Sequence, residues 1–355
     1  MSKKIMIAMS GGVDSSVAAY LVKSSGEDCV GVTMRLHDCS GANISEESSC
    51  CTSKDIEDAR AVCARLGIEH IVLDLAGDFH ENVIKRFAEA YANGITPNPC
   101  VDCNRYMKFK KLFEKAKELG CTHIATGHYA RVVEEDDVFL LKKGLDEGKD
   151  QSYVLYSLTK EQLAHTLFPL GALTKAQVRE IAEAQGFINA TKKDSQDICF
   201  VPDGNYAKVV KEVLGRDFPV GDYVDSEGHV LGKHKGIIHY TIGQHKGLGI
   251  STPEPLYVAR ISPEENTVTL VKNEDLFSRD LDVADFNLTG RDSLTPDMRL
   301  KAKIRYRHKE EWASVTPTSS STVHITFDEP QRAITKGQSA VLYDGDTVVG
   351  GGVII

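Results

Sequence analysis

An apolar run, Ile5-Met6-Ile7-Ala8-Met9, ends in Ser10-Gly11-Gly12-Val13-Asp14-Ser15-Ser16. Val13 to Lys23 then has helical spacing, with Val17, Tyr20 and Leu21 on one face. A strand that ends in small residues and turns at once into a helix builds a cradle for phosphate. The glycines let the backbone approach a ligand closely. The amides at the helix start point outward with partial positive charge. No lysine stands in the loop, so it is not the Gly-Lys-Ser/Thr phosphate loop. The competing reading is an ordinary strand-to-helix turn with a serine cap.

The 355 residues suffice for two or three domains. At 41% hydrophobic and 26% charged, the composition is that of a soluble globular protein. No apolar run approaches the length of a membrane span. Met1-Ser2-Lys3-Lys4 lacks the apolar core of a signal peptide. The expected location is therefore the cytoplasm, with no membrane partner. Nine cysteines without an export signal fit a reducing compartment, where thiols serve catalysis or metals more often than cross-links. The net charge of −9 argues against a nucleic-acid partner unless basic residues are gathered locally. Lys301, Lys303, Arg305, Arg307, His308 and Lys309 are so gathered. A solvated strand face accounts for them equally well.

The first part alternates strands and helices. Cys29–Leu36, His70–Leu75 and Cys121–Thr126 read as strands; Lys54–Leu66, Phe79–Tyr91 and Tyr106–Leu119 read as helices. Thr52 with Asp55 fits a capping box, and His37 to Thr52 is a long polar connection. This alternation predicts an α/β fold, a parallel sheet covered on both faces, with ligands at the carboxyl ends of its strands. Around Asp203 the character changes. After a helix over Tyr206–Leu214 the chain becomes rich in β-type runs and turns. The expected division is 1–202 for the nucleotide-binding domain, 203–272 for a small β-rich domain, and 273–355 for a C-terminal β-barrel.

Cys100-Val101-Asp102-Cys103 follows Thr96-Pro97-Asn98-Pro99 and is read as lying just before the helix at Tyr106. A cysteine near a helix start gains thiolate character. The spacing admits a redox pair, half a zinc site, part of an iron–sulfur site, or a nucleophile with a neighbour. No second Cys-x-x-Cys completes a zinc site. Cys199 alone reads as a buried structural cysteine, as do Cys29, Cys63 and Cys121. Cys39, Cys50 and Cys51 belong to the polar connection.

The loop resembles the Ser-Gly-Gly-x-Asp-Ser pyrophosphate loop of enzymes that split ATP into AMP and pyrophosphate. Other segments extend the likeness along the chain: Thr96-Pro97-Asn98-Pro99 through Cys103-Asn104, Ala125 to Arg131, Lys149 to Tyr153, Asp194 to Phe200, and His239 to Gln244. Together they resemble bacterial tRNA-specific 2-thiouridylases, the MnmA family, over essentially the whole length. The resemblance implies ATP on Ala8, Met9, Ser10, Gly11, Gly12, Val13, Asp14 and Ser15, with Met34 and Gly127 contacting the nucleotide, and Mg2+ accompanying it. It implies adenylation of the C2 oxygen of a wobble uridine in tRNA, then attack by sulfur. Cys199 takes the position of a persulfide fed by an upstream sulfur-carrier protein or cysteine desulfurase. Cys103 takes that of the thiol that releases the outer sulfur, the two then forming a disulfide. Asn98, Pro99, Cys100, Lys149, Asp150, Gln151, Arg305 and Tyr306 fall at tRNA-contacting positions. Arg305 and Tyr306 lie in the basic stretch, and a tyrosine can stack on an unpaired base.

Many family members carry an aspartate where this chain has Cys100, and that aspartate is a proposed acid/base or orienting group. Here the role is vacant or falls to Asp102. Cys100, Cys103 and Cys199 together offer three thiolates, enough to hold a 4Fe–4S cluster with one iron open to hydrosulfide. The persulfide and cluster routes are both open at this point. The same loop also serves amide-forming and argininosuccinate-type ligases, which use nitrogen nucleophiles and need neither Cys103 nor Cys199. A non-catalytic tRNA-binding protein is the remaining alternative. His128 reads equally as a substrate contact or a structural histidine.

Overall fold

The structure is a computed structural model that describes residues 3–36, 53–194, 198–291 and 293–355. β1 (Lys4–Ala8) leads through the Ser10–Gly12 loop into α1 (Val13–Ser24), followed by β2 (Asp28–Arg35), α2 (Ser53–Leu66) and β3 (Glu69–Asp74). Two long helices come next, α3 over residues 76–92 and α4 over residues 99–118. Each widens into a π-helical stretch, His80–Lys85 in α3 and Cys103–Lys111 in α4. β4 (His123–Ala125), the hairpin β5 (Ala130–Glu135) and β6 (Val138–Lys143), α5 (Lys160–Ala164), β7 (Thr166–Leu167) and α6 (Lys175–Ala184) complete this part.

The five strands β3-β2-β1-β4-β7 form one parallel sheet. The chain builds outward from β1 to β3, then returns to place β4 on the other side of β1. That reversal makes a switch point at the carboxyl ends of β1 and β4, where ligands of such sheets bind. β1 reads as a continuous apolar run because both its faces are covered. Ile5 and Ile7 join Val17, Ala59 and Val178 on one side. Met6 joins Phe79, Phe87 and Leu112 on the other.

The expected α/β architecture with two appended β units is what the structure has. α7 (Tyr206–Leu214) leads into a four-stranded sheet of β8 (Gly221–Val224), β9 (Val230–His234), β10 (Tyr257–Ser262) and β11 (Thr267–Val271), in the order β10-β11-β8-β9. β12 (Phe277–Leu288), β13 (Met298–Lys303), β14 (Glu311–Pro317), β15 (Val323–Arg332), β16 (Ser339–Asp344) and β17 (Thr347–Ile354) close a barrel, because β12 pairs with both β15 and β17. Its interior holds Leu281, Val283, Leu300, Ala313, Ile325 and Phe327, alternating with outward polar residues.

The units are joined through their cores. The cluster around Met6 runs on into Val210, Tyr223, Ile238 and Val258 of the central sheet. Tyr91 of α3 stacks on Tyr206 of α7, ring centroids 4.6 Å apart. The β5–β6 hairpin, turned by Asp136 and Asp137 at positive φ, adds to the barrel sheet through Lys142 and Thr347. The loop before α4 is also tied to the barrel. Thr96 N–H donates to the Lys336 carbonyl at 3.1 Å, and Gln338 Nε2 donates to the Thr96 carbonyl at 2.9 Å. Among the described residues no helix is long and apolar enough to cross a membrane.

Candidate active site

The loop after β1 keeps its shape through contacts that only these residues permit. Gly11 has φ +72°, and a Cβ there would lie 2.3 Å from the Asp55 carbonyl oxygen of α2. Gly12, extended at φ −91° and ψ 163°, is the N-cap of α1 and supplies no side-chain bond. The serines therefore do not cap the helix. Ser15 Oγ donates to the Gly12 carbonyl at 2.9 Å and accepts from Ser10 N–H at 3.2 Å. Ser16 Oγ donates to the same carbonyl at 3.0 Å.

Two residues brace the loop from the far end of the domain. Asn189 Nδ2 donates to the Gly11 carbonyl and to Ser16 Oγ, both at 2.9 Å. Lys192 Nζ donates to the Gly11 carbonyl at 3.1 Å while pairing with Asp55 at 2.5 Å and Asp58 at 2.8 Å. On the other side, Gly127 follows β4. A Cβ there would lie 2.8 Å from the Asp14 carbonyl carbon and 2.9 Å from Ser15 N. Met34 stands near the carboxyl end of β2. The residues expected to hold nucleotide, Ala8 to Ser15 with Met34 and Gly127, thus lie along one carboxyl edge of the sheet.

Asp14 is the hub of a charged network. It accepts from Tyr129 Oη at 2.8 Å and from Lys175 Nζ at 2.8 and 2.9 Å. Lys175 also reaches Asp194 at 2.7 Å, and Asp194 is paired with Lys149 at 2.7 Å and Arg179 at 3.2 Å. Burial opposes its ionisation, but Lys149 and Lys175 hold the Asp194 carboxyl below the usual range. One carboxylate therefore ties Lys175, and through it Asp14 of the loop, to Lys149 and Arg179.

The cysteines stand differently from expectation. α4 starts at Pro99 rather than Tyr106, because Asn98 Oδ1 accepts from Cys100 N–H at 3.2 Å and Pro99 fits the first helical position. Cys100 and Cys103 thus occupy the opening turns, and Cys103 begins the π-helical stretch. Such stretches are frequent at functional sites. Cys103 and Cys199 are both half-buried and pack against the same apolar cluster. Phe200 pins the Cys199 segment to α3, edge-on to Phe87 at 5.1 Å and Phe79 at 6.0 Å. Cys100 is exposed and within electrostatic reach of Tyr306 in the barrel. Asp102 lies 3.5 Å from Arg86; burial pushes its carboxyl up, with Arg86 opposing.

Of the positions assigned to tRNA, the Lys149–Gln151 and Arg305–Tyr306 segments meet. Tyr306 Oη donates to the Asp150 carbonyl at 3.3 Å, and the Tyr306 and Tyr153 rings are 6.0 Å apart. The Asp150 carboxylate accepts from the Gly144 and Ser152 amides at 3.0 and 3.1 Å. Gln151 Oε1 accepts from Tyr129 N–H at 2.9 Å. Arg305 turns inward, its guanidinium donating to the Ala333 carbonyl and to Thr335 Oγ1 at 2.9 Å. His128 is buried. Lys108 donates to its Nε2 at 3.3 Å, so Nδ1 carries the proton and donates to Thr126 Oγ1 at 2.7 Å. Burial holds its pKa well below the usual histidine value.

Cys29, Cys63 and Cys121 are buried, and burial pushes the Cys63 thiol up to about 12. Thr52, Cys39, Cys50, Cys51 and residues 195–197 lie outside the described residues. Tyr129 and Asp194 fall within the Ala125–Arg131 and Asp194–Phe200 segments, whose pattern alone gives neither a partner. Asn189, Lys192 and Lys175 carry no local signal, since each acts across more than 130 positions of chain.

A Ser-Gly-Gly-x-Asp-Ser loop at the switch point of a parallel sheet, with two β units appended, defines a pyrophosphate-loop nucleotide-binding protein. Family models match all three parts: the tRNA methyl transferase HUP domain over residues 3–203, the tRNA methyl transferase PRC-barrel domain over 207–272, and the aminomethyltransferase β-barrel domain over 278–354. The chain is 49% identical to the tRNA-specific 2-thiouridylase MnmA of Clostridioides difficile, covering 100% of this chain and 98% of that one. It is 48% identical to the MnmA of Clostridium acetobutylicum, covering 100% of both. The chain belongs to the tRNA-specific 2-thiouridylase family. A solved NMN synthetase from Francisella tularensis is more distant, at 18% identity and TM-score 0.33 over 61% of this chain and 79% of that one.

Proposed function

We propose that the protein is a tRNA uridine 2-sulfurtransferase that uses ATP to activate the C2 oxygen of a wobble uridine. The observation that carries this reading is that Cys103 and Cys199, both half-buried, border the same extended apolar core, in a protein whose β1–α1 loop opens onto the amides of a helix start. The Ala8–Ser15 loop would hold ATP, and Mg2+ bound with it would offset the charge of the departing pyrophosphate. The helix-start amides of α1 stabilise the pyrophosphate leaving group. The C2 oxygen attacks the α-phosphorus and pyrophosphate leaves. The C2 carbon now carries AMP as leaving group.

Sulfur arrives as a persulfide on Cys199, loaded by an upstream sulfur-carrier protein or desulfurase. The Cys103 thiolate attacks the Cys199 sulfur. The outer sulfur leaves with the electron pair as hydrosulfide and adds to C2. The C2–O bond breaks, AMP departs, and a Cys103–Cys199 disulfide remains for a thiol reductant. The burial shared by Cys103 and Cys199, against the exposure of Cys100, favours this two-thiol route over a 4Fe–4S cluster on all three. The division at 202/203 and 272/273 belongs to the same reading: the first domain does the chemistry and the barrel presents the tRNA.

Incubation with ATP, Mg2+, a persulfide donor and unmodified tRNA, followed by nucleoside mass spectrometry, tests it. 2-Thiouridine is expected for wild type and Cys100→Ser, and none for Cys103→Ser or Cys199→Ser. Unchanged ATP turnover without any thiouridine would favour a nitrogen-transferring ligase.

A further inference from the structure

Trp312 is the only tryptophan of the chain, and it is 50% exposed on β14. It stands directly opposite Lys301 of β13 in the sheet register. Lys301 Nζ lies 5.6 Å from its ring and Arg299 Cζ 5.9 Å. Arg299 is fixed in place by Asp328, with two bonds of 2.8 and 2.6 Å. Along β13, Arg299, Lys301 and Lys303 point outward while Leu300 and Ala302 are buried, as strand alternation requires. Lys303 lies 5.8 Å from the Tyr153 ring and 5.9 Å from the Tyr306 ring. Cations and rings therefore alternate along one barrel face, from Tyr306 to Trp312. Residues 299–312 carry six lysines or arginines and two glutamates, a local charge of +4 in a chain of −9.

We propose that Trp312, flanked by Lys301 and Arg299, is a stacking platform for an unpaired nucleotide of the same tRNA, apart from the nucleotide that meets Cys103 and Cys199. The inference rests on the tRNA reading above and extends it. An indole face takes a base of any identity, and neighbouring cations take the backbone phosphates. An acidic peptide would satisfy the cations and leave the ring unused.

The single tryptophan makes the test direct. The full-length protein is titrated with unmodified tRNA, reading indole fluorescence and, in parallel, complex formation by filter binding. Quenching should follow complex formation. Trp312→Ala should weaken tRNA binding on the order of tenfold, Trp312→Phe should restore most of it, and turnover at saturating tRNA should be unchanged. A complex that forms with unaltered fluorescence, or that Trp312→Ala binds as tightly as wild type, would overturn the platform while leaving the tRNA reading intact. Quenching by polyglutamate instead of tRNA would assign the face to a protein and overturn it too. Failure of any tRNA complex to form would sink the tRNA reading itself.

Discussion

The Lys175 ammonium is locked onto the Asp14 carboxylate, 2.8 and 2.9 Å from its two oxygens, from a helix 161 positions further along the chain. Its Asp194 partner, 2.7 Å away, leads into the Cys199 segment. Removing the cation leaves Asp14, among the described residues, with Tyr129 Oη alone, while Asp194 keeps Lys149 and Arg179. Breaking a buried pair in this way costs about 3–5 kcal/mol, and partial exposure of Asp14 reduces it. Lys175→Met should lower the unfolding midpoint and raise KM for ATP, whereas Lys175→Arg should recover most of both. Chemical denaturation together with ATP-dependent AMP release measures the pair of effects. An unaltered KM in Lys175→Met would show that the bridge is dispensable for the loop.

Gly127→Ala should act on the nucleotide rather than on the tRNA. The added methyl would press on the backbone between Asp14 and Ser15, at 2.8–2.9 Å. Displacing the start of α1 by a few tenths of an ångström spoils the aim of its amides. We expect KM for ATP to rise at least tenfold with tRNA affinity unchanged, a split that steady-state kinetics and filter binding resolve.

Arg305→Ala should behave as a stability variant. The guanidinium holds the Ala333 carbonyl and Thr335 Oγ1 within the barrel. Its loss removes two charge-assisted hydrogen bonds, at about 1–3 kcal/mol, while Thr335 Oγ1 still donates to the Ala333 carbonyl at 2.8 Å. A lower melting temperature with proportionate loss of tRNA binding fits this role. Unchanged melting with lost binding would make Arg305 a direct RNA contact.

Acid should destabilise the fold through His128. Burial lowers its pKa in the folded state, so the folded protein binds fewer protons there than the unfolded chain. Its contribution is complete above the unfolded value of about 6.5 and is lost as pH falls below that. Between pH 6.5 and 5, wild type should lose stability faster than His128→Gln. Parallel slopes for the two proteins would show that another group controls the acid limb.

The parallel sheet, the loop and the barrel were legible because each rests on local pattern: apolar runs, glycines before a helix, alternating strands. The start of α4 was not. Pro97 and Pro99 argue for extended chain locally, yet Pro99 is tolerated at the first helical position once Asn98 caps it. The β5–β6 hairpin was also missed, since its membership of the barrel sheet depends on the pairing of Lys142 with Thr347, 205 positions away. The cysteines could be chosen by motif, but nothing in their spacing shows Phe200 wedged between Phe79 and Phe87. That packing holds the Cys199 segment at the border of the extended apolar core that Cys103 also meets.

The central claim is that ATP activates the uridine C2 oxygen so that sulfur can replace it. tRNA carrying 18O at C2 of the wobble uridine tests this in a single turnover. The account predicts one 18O in the phosphate of each AMP released, matched by one 2-thiouridine. Unlabelled AMP alongside 2-thiouridine would contradict it.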